Sequence, residues 1–417
     1  MAKSKTTRIL FQVLKWMGIV TGTLILLVFL VLLLPPTQNY LAQLAVGRLS
    51  DQLNTEVKID RLRFNLFAGS LYLRDVYIED LQKDTLLYSH EIAVDVNLWA
   101  LLSSEVDIES VGIEHAVGKL SRAEGDSTFN YNFILESFAS SDTTADPSAS
   151  AWEIVAYGAI VQLKNVRLDY DDRELGTFMG LHLDELELGV EEMNLNENKY
   201  LGDDLDIRRT RFEMIQTKTV ASADPDTDIS GEDDVAAAMP ALALNHGLLE
   251  DVEFYYEDKT INQIIDLEIG EFEVSGDEID LNRQIIAIDK GRLVNTEFAY
   301  IQQATPNQAP DTTASPDTTA SADLDFVDIG WQFQANELSF ENDQIVLYNN
   351  NYPRPPRGID FNHLNLQDIT LQVASFAWNA EHIKIDLDQL AFRDQSGFAV
   401  KEMHTEVLVG QETIFVR

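Results

Sequence analysis

The side chains that most often carry out catalysis are dispersed in this sequence. The seven histidines form no group with the spacing of metal ligands, and the HExxH, GxSxG and glycine-rich phosphate-binding motifs are absent. Acidic neighbours such as Asp203 with Asp204, or Glu191 with Glu192, are adjacent in the chain, a spacing that does not suit an acid–base pair. We therefore expect no enzymatic activity.

One acidic stretch, residues 224–234, begins with the Asp-x-Asp-x-Asp order of a calcium-binding loop. Ile229 occupies the position that requires glycine, and Val235 the position that requires a bidentate glutamate. Cysteine is absent, which excludes thiolate metal sites, cysteine nucleophiles and disulfides. The sequence therefore predicts neither a metal site nor a cofactor.

The charge of the chain is strongly negative. Its 70 acidic and 30 basic residues give a formal net charge of −40. Such a chain is repelled by nucleic acid and by anionic surfaces, because phosphate binding depends on clustered lysine and arginine. We exclude a nucleic-acid partner and attribute most of the acidity to solvent-facing strand positions.

A strand pattern recurs along the chain. In residues 165–172 (NVRLDYDD), apolar and polar residues alternate with the two-residue period of a strand that has one apolar face. Similar runs lie at 74–80, 251–258 and 343–350, and their aligned residues are Val76, Val166, Val252 and Ile345.

Subtraction of these residue numbers gives spacings of 90, 86 and 93. Each run is followed by two more strand patterns, so four copies of a small sheet are predicted. The sequence therefore predicts a mainly β protein with an elongated, curved antiparallel β-groove of repeated units. The second strands are predicted at 91–96, 183–188, 269–274 and 364–371, and the third at 108–113, 205–209, 285–288 and 383–387.

The N-terminus has the pattern of a single transmembrane helix. Basic residues between Lys3 and Lys15 precede an uncharged run at 16–34, which as a helix reaches roughly 28 Å, close to the thickness of a bilayer core. A cleaved signal peptide is the alternative, but its apolar region is shorter. The positive-inside rule then places residues 1–15 in the cytoplasm and the chain after the helix outside the cytoplasm. The predicted anchor residues are Trp16, Leu24, Leu27, Phe29 and Leu34.

An amphipathic helix is predicted directly after the anchor. Leu41, Leu44, Ala45, Leu49 and Leu53 follow two prolines at helical spacing. Such a helix either plugs the open end of the first sheet or lies on the outer membrane face.

Three low-complexity stretches, rich in Ser, Thr, Ala, Asp and Pro, interrupt the strands. This composition does not bury enough apolar surface to offset the entropy of ordering. Each stretch precedes the strand that opens the next unit and so marks a boundary. The predicted segments are a cytoplasmic tail (1–15), the membrane helix (16–34), the amphipathic helix (35–54), four β units (55–138, 151–219, 239–302 and 323–417) and three disordered insertions (139–150, 220–238 and 303–322).

The apolar face of the strands is the candidate functional surface. A sheet with one apolar face must cover that face or use it. A closed sandwich would cover it, but no second long amphipathic helix follows residue 57. The alternative is an open stripe that contacts lipid acyl chains or unfolded apolar strands. The candidate stripe residues are Val76, Ile78, Val166, Leu168, Tyr170, Leu186, Leu188, Val252, Phe254, Tyr256, Phe272, Val274, Ile383, Ile385 and Leu387.

The first 140 residues or so resemble the start of TamB-type proteins of the AsmA-like superfamily, in their bacteroidete version. The likeness rests on an ordered set of structural motifs rather than on a catalytic signature. These are the single anchor, the segment after PPTQ, LNTEVKI (53–59), DVYIED (75–80), DTLLY (84–88), LWALL (98–102) and FNYNFI (129–134).

The resemblance implies an inner-membrane protein whose periplasmic β-groove moves phospholipid toward the outer membrane. It also implies a link to the assembly and secretion of outer-membrane β-barrels and autotransporters, so a scaffold or chaperone is the alternative function. Such proteins engage an outer-membrane barrel protein of the Omp85 type through a C-terminal region that this sequence, ending at Arg417, lacks. We therefore expect a truncated chain.

Three Asp-Thr-Thr triplets resemble the bacteroidete periplasmic O-glycosylation sequon. They place candidate glycans on Thr143, Thr312 and Thr318, all within the insertions. We predict that mass spectrometry of native protein finds hexose-containing adducts on these threonines. Peptides that carry only unmodified threonine would contradict this assignment.

Overall fold

The computed structural model describes residues 15–17, 19–24, 27, 30–31, 33–65, 67–138, 153–194, 199–219, 241–280, 283–304, 331–410 and 414–417. Most of them lie in strands, so the prediction of a mainly β protein is confirmed. The helices are α1 (Pro35–Leu53) and α2 (Asn132–Phe138), with a 3-10 turn at Ala100–Ser103. The strands are β1 (Val57–Asn65), β2 (Ser70–Glu79), β3 (Thr85–Val96), β4 (Glu105–Arg122), β5 (Glu153–Asp172), β6 (Thr177–Asn194), β7 (Lys199–Gln216), β8 (Ala241–Ala243), β9 (His246–Asp258), β10 (Gln263–Asp280), β11 (Ile285–Val294), β12 (Glu297–Gln302), β13 (Gln332–Asn349), β14 (His363–Trp378), β15 (His382–Asp394), β16 (Ala399–Val400), β17 (Thr405–Gly410) and β18 (Ile414–Val416).

All these strands belong to one sheet of 18 strands, in which most strands pair with their neighbours in the chain. At three places in the sheet, two consecutive strands pair with different parts of the same neighbouring strand. These are β8 and β9 on β7, β11 and β12 on β10, and β16 and β17 on β15. Within the described residues, β1 pairs only with β2 and β18 only with β17. The sheet is therefore an open, elongated ribbon rather than a closed barrel of strands.

The prediction of an antiparallel sheet is wrong at three places. β5 runs parallel to β4, β9 runs parallel to β7, and β13 runs parallel to β11 and β12. A parallel pair needs a long connection, since the chain must return to the end from which it started. Each parallel pair is joined through a segment that contains one of the low-complexity stretches, and residues 139–152, 220–240 and 305–330 of these segments lie outside the described residues.

The two ends of the recurrent run have separate backbone roles. Asn165 has a positive φ of 51° and Asp251 one of 54°, in the left-handed region that Asn and Asp tolerate better than most residues. At the other end, the Asp172 carboxylate accepts hydrogen bonds from the backbone N–H groups of Glu174 and Leu175, at 3.1 Å each. The run is therefore a strand that begins at a backbone kink and ends in an Asx turn.

The kinks align across the sheet. His115 of β4 lies opposite Asn165 of β5, because Glu114 pairs with Lys164 and Ala116 with Val166. A left-handed residue interrupts the extended backbone and bends a strand, as in β-bulges. We call the resulting line the crease; its positive-φ residues are Asp75, His115, Asn165, Arg209, Asp251, Asn295, Asn342 and Asp368.

The two faces of the sheet differ in exposure at the crease. The crease residues His115, Asn165, Arg209 and Asp251 are exposed. On the opposite side, adjacent residues are small and buried, including Ser89 at 0% and Ala116 at 5% exposure. The exposed polar residues and the buried residues of the crease thus lie on opposite faces of the sheet; we call these the convex face and the concave face, since a bend at the crease opens the exposed face and closes the other.

Helix α1 covers the outer edge of β1. Two prolines start the helix, as their fixed φ favours, and Asn54 ends it with a left-handed φ of 53°. The Gln38 side-chain amide bonds both the carbonyl and the N–H of Phe64, at 2.7 and 3.2 Å. Ser50 Oγ does the same at Val57, at 3.3 and 3.1 Å. Helix α1 therefore satisfies backbone groups that an edge strand would otherwise leave open.

The helix face that packs on β1 includes the predicted Leu53 but otherwise differs from the predicted one. Ala42 and Leu53 are buried, whereas Leu41 and Leu44 are 44% and 47% exposed. Because Ala42 is small, it allows the close approach of α1 to the strand edge, and the larger leucines remain on the open side.

Among the described residues, no helix is both long and apolar enough to cross a membrane. The predicted span at 16–34 includes residues outside the described set, Phe29 among them, and its described residues up to 31 are helical. Trp16, Leu24, Leu27 and Leu34 are all more than half exposed. The transmembrane helix stays a prediction.

We predict that Asn165→Val destabilises the second unit by about 1–2 kcal/mol, because a β-branched side chain is strained at positive φ. Asn165→Gly is the matched control, since glycine adopts this φ without strain. Urea unfolding monitored by circular dichroism compares the two variants. Equal midpoints would show that the crease does not depend on the left-handed residue.

Candidate functional site

The crease divides the concave face of the sheet into two strips, and each strip carries a row of apolar residues. Leu163 pairs with Ile113 on one neighbouring strand and with Leu186 on the other, and directly opposed residues share a face. The same pairing connects one apolar residue to the next on each neighbouring strand from β1 to β15, with no polar residue among them. We call it the first apolar row: Leu62, Leu73, Ile92, Ile113, Leu163, Leu186, Ile207, Leu249, Phe272, Leu293, Phe340, Leu371 and Leu390.

A second apolar row runs on the other side of the crease. Leu168 pairs with Gly118 and Leu181, and Phe254 pairs with Phe212 and Leu267. Phe212 and Phe254 stack with ring centroids 5.4 Å apart. The second apolar row consists of Val57, Ile78, Leu87, Gly118, Leu168, Leu181, Phe212, Phe254, Leu267, Phe298, Ile345 and Leu366.

The length of the rows is set by the spacing of strands. Neighbouring strands lie about 4.8 Å apart, so the thirteen strands of the first row extend over roughly 58 Å. That is longer than the hydrocarbon core of a bilayer, about 30 Å. The rows therefore form a continuous apolar path across the units rather than four separate cores.

The apolar rows are only partly buried. Every residue of the first row has intermediate exposure, and so does every side chain of the second row except the buried Val57. No Phe, Tyr or Trp of the described residues is fully buried. The interior of a closed sandwich would bury such side chains, whereas a surface with no second layer leaves them partly accessible.

The predicted stripe residues lie on this face, some at the crease and others in or beside the two rows. Val166 and Val252 line the crease, whereas Leu186 and Phe272 belong to the first row and Leu168 and Phe254 to the second. Ile383, Ile385 and Leu387 extend the face on β15, where Leu387 is 7% exposed. The remaining candidates are Val76, Ile78, Tyr170, Leu188, Tyr256 and Val274, and of these only Val76 is buried.

Several residues of the face were not predicted. Ile207 and Phe212 of β7 belong to the rows, as do Leu293 of β11 and Phe298 of β12. In β7 the apolar positions change from odd to even numbers across Arg208 and Arg209, which hides the two-residue period. That change of phase marks the crease and could have been found by aligning the units.

A polar rim closes one border of the concave face. Arg122 donates through Nε to Asp172 Oδ1 at 2.9 Å, and Asp172 is fully buried. The Arg122 guanidinium holds the pKa of the Asp172 carboxyl below its ordinary value, outweighing the opposite effect of burial. The rim consists of Arg122, Asp172, Thr177, Gln216, Asp258, Gln263, Gln302 and Asn349. It separates the apolar rows from solvent-facing turns.

One carboxylate lies inside the crease. Asp343 is 4% exposed, and its Oδ1 accepts a hydrogen bond from the Thr296 N–H at 2.7 Å. Asp343 Oδ2 and Thr296 Oγ1 are buried with no hydrogen-bond partner among the described residues. Burial raises the pKa of Asp343 above its ordinary value.

The described histidines have local roles. His90 Nδ1 lies 2.9 Å from Asp75 Oδ1 on the convex side, and the buried His363 lies 2.7 Å from Asp360 Oδ2 through Nδ1. No group of three or more His, Asp or Glu side chains in the described part of the chain is arranged to hold a metal ion. The calcium-like stretch and the three candidate threonines lie outside the described residues.

We predict that Asp343→Asn increases stability at neutral pH, because asparagine keeps the acceptor for Thr296 and removes a buried charge. The raised pKa means that the folded state binds this proton more tightly than the unfolded chain. The contribution of Asp343 to stability is therefore greatest below the ordinary pKa of 3.8 and falls as pH rises through the folded-state pKa.

Urea midpoints measured across this pH range test the assignment. Asp343→Asn flattens the fall with pH, whereas the control Asp368→Asn, at an exposed convex position, retains it. An unchanged pH dependence in Asp343→Asn would refute it.

Comparison of the sequence with models of known protein families and with curated proteins gives no match. The resemblance to TamB-type proteins rests on its motifs alone.

Proposed function

We propose that this chain is a membrane-tethered β-groove that carries phospholipid between the inner and outer membranes by holding acyl chains along its two apolar rows. The observation that supports this proposal is the first apolar row, an unbroken succession of partly exposed Leu, Ile and Phe side chains. Partial exposure is what a binding surface needs, because an acyl chain gains free energy by covering accessible apolar area.

The shape of the face suits an elongated, flexible ligand. The concave side has no polar residue in the first row, so an acyl chain can move from strand to strand without leaving apolar contact. The polar rim, with the buried Asp172 and its partner Arg122, lies beside the apolar rows. A phospholipid with its chains in the groove can keep its headgroup hydrated at that border.

The proposed location follows from the N-terminal sequence. An anchor at 16–34 leads directly into α1, which bonds to the first strand of the sheet through Gln38 and Ser50. Such an arrangement attaches one end of the groove to the inner membrane and leaves the other end to extend into the periplasm. The resemblance to TamB-type proteins agrees with this arrangement and adds the link to outer-membrane biogenesis.

A scaffold for apolar polypeptide is the second candidate. β18 pairs only with β17 among the described residues, and Ile414, Phe415 and Val416 are exposed. An edge of this kind accepts an added strand through backbone hydrogen bonds. A nascent β-barrel strand is therefore the polypeptide ligand that this alternative requires.

We predict that Leu168→Asp lowers the phospholipid that co-purifies with the full chain by about tenfold. Loss of contact with two methylene groups at about 0.8 kcal/mol each corresponds to roughly that ratio. Quantitative lipid mass spectrometry of the detergent-purified protein measures the effect.

Arg167→Asp is the matched control, because Arg167 lies beside Leu168 on the polar side of the same strand. Lipid bound to the anchor contributes equally to both variants. Circular dichroism verifies that both remain folded. Equal phospholipid content in the two folded variants would mean that the second row does not bind lipid.

A further inference from the structure

One end of the first unit exposes large aromatic side chains. Phe67, in the turn between β1 and β2, is 76% exposed, and Trp99, between β3 and β4, is 80% exposed. The two connections are neighbours, because the Val96 N–H donates to the Gly69 carbonyl at 3.1 Å. Tyr40, in the first half of α1, is 66% exposed.

The start of α1 lies at this same end. Gln38 bonds to Phe64, near the end of β1 and three residues before Phe67, whereas Ser50 bonds to Val57 at the beginning of β1. Helix and strand therefore run in opposite directions. Pro35, where the chain leaves the apolar N-terminal run, lines the same cleft as Phe64 and Asn65 at the end of β1.

A basic cleft of about 810 Å³ lies between the start of α1 and the first two strands. Arg61, Arg63 and Arg74 line it together with Asp60 and Glu91. Arg74 donates to Glu91 at 2.8 Å, and Arg61 is 3.4 Å from Asp60. Arg63 has no ion pair or side-chain hydrogen bond to any described residue, so its charge is available to a ligand.

The helix adds to the positive potential of the cleft. No side chain caps the start of α1, and its first turn contains no acidic residue. No acidic side chain of the first turn therefore offsets the positive end of the helix dipole there. Although the chain as a whole is acidic, charges beyond about 10 Å are screened at physiological salt. The three arginines of the cleft outnumber its two carboxylates, which leaves a net positive charge at this end.

We infer that this end of the first unit docks on the surface of the bilayer, with Tyr40, Phe67 and Trp99 in the headgroup region and the arginine cleft on the phosphate of an anionic phospholipid. Tyrosine and tryptophan favour the membrane interface because one part of the ring is apolar and the other is polar. The inference rests on the membrane attachment in the proposed function, and adds the orientation of the sheet and the class of headgroup. Docking at this end places β1, the first strand of the groove, against the membrane.

The absence of cysteine allows a direct test with single-cysteine variants of the full chain. Phe67→Cys and Trp99→Cys carry an environment-sensitive fluorophore in lipid nanodiscs. Leu81→Cys is the control, because Leu81 is 51% exposed in the turn at the opposite end of β2. The expected result is blue-shifted emission, quenched by lipid-borne nitroxide, at positions 67 and 99 but not at 81.

The headgroup class is tested by the lipid composition and by the arginines. Docking, measured as the ratio of buried to aqueous label, is expected to be stronger in discs with phosphatidylglycerol than in phosphatidylcholine alone. Arg61→Gln and Arg63→Gln each lower that ratio by roughly fivefold in the anionic discs, since one basic residue near an anionic surface contributes about 1 kcal/mol. Arg173→Gln, which changes an exposed arginine at the other end, leaves the ratio unchanged.

The outcomes separate this inference from the proposed function. Failure of the chain to enter nanodiscs contradicts the membrane attachment itself. If the chain enters nanodiscs but the labels at positions 67 and 99 remain in water, the docking surface is wrong, whereas the proposed groove is not affected. Arginine-dependent binding of inorganic phosphate in detergent, with no label shift in discs, would assign the cleft to a soluble anion and would also overturn it.

Discussion

The structure depends on one backbone constraint, the alignment of a kink in strand after strand of a single sheet. A strand that crosses the crease places two consecutive residues on the convex side, as Arg208 and Arg209 show. Without that change of phase, the apolar side chains beyond the crease would point to solvent. The kink therefore keeps one face apolar on both sides of the bend, and the bend makes that face concave.

The constraint also explains the distribution of charge. The convex side of the crease presents arginines among carboxylates, and Arg209 lies 3.3 Å from Asp184. Arg292 likewise contacts Glu271 and Glu341 on the two neighbouring strands. Exposed ion pairs of this kind contribute little stability individually. Their consequence is a hydrated outer surface that leaves the apolar rows as the one continuous nonpolar surface of the described sheet.

Much of the fold could be predicted from the alternation of residues, because a half-buried strand imposes a period of two. The run at 165–172 lies within a strand, as do the predicted second and third strands of each unit. The parallel strand pairs could not be predicted, because the direction of a strand depends on the end of the sheet to which the preceding low-complexity connection returns. The packing face of α1 also differed, because the close approach of backbone and helix selected the small Ala42 over the larger Leu41.

The candidate site could be predicted in part. Residues such as Leu168 and Phe254 were found because their strands carry the clearest alternation, whereas Phe212 was hidden by the crease. The buried Asp343 was not foreseen, because the sequence does not reveal that its position faces inward after the kink at Asn342. A single sequence therefore indicates that an apolar face exists, and the register of the strands is needed to show that it is continuous.

The most direct test of the central claim is photo-crosslinking from the groove in living cells. A benzophenone side chain at position 254, in the second apolar row, is compared with one at position 253, on the polar side of the same strand. The account predicts phospholipid adducts at 254 and none at 253, identified by mass spectrometry of the purified chain. Polypeptide adducts at 254, or the absence of any adduct there, would contradict it.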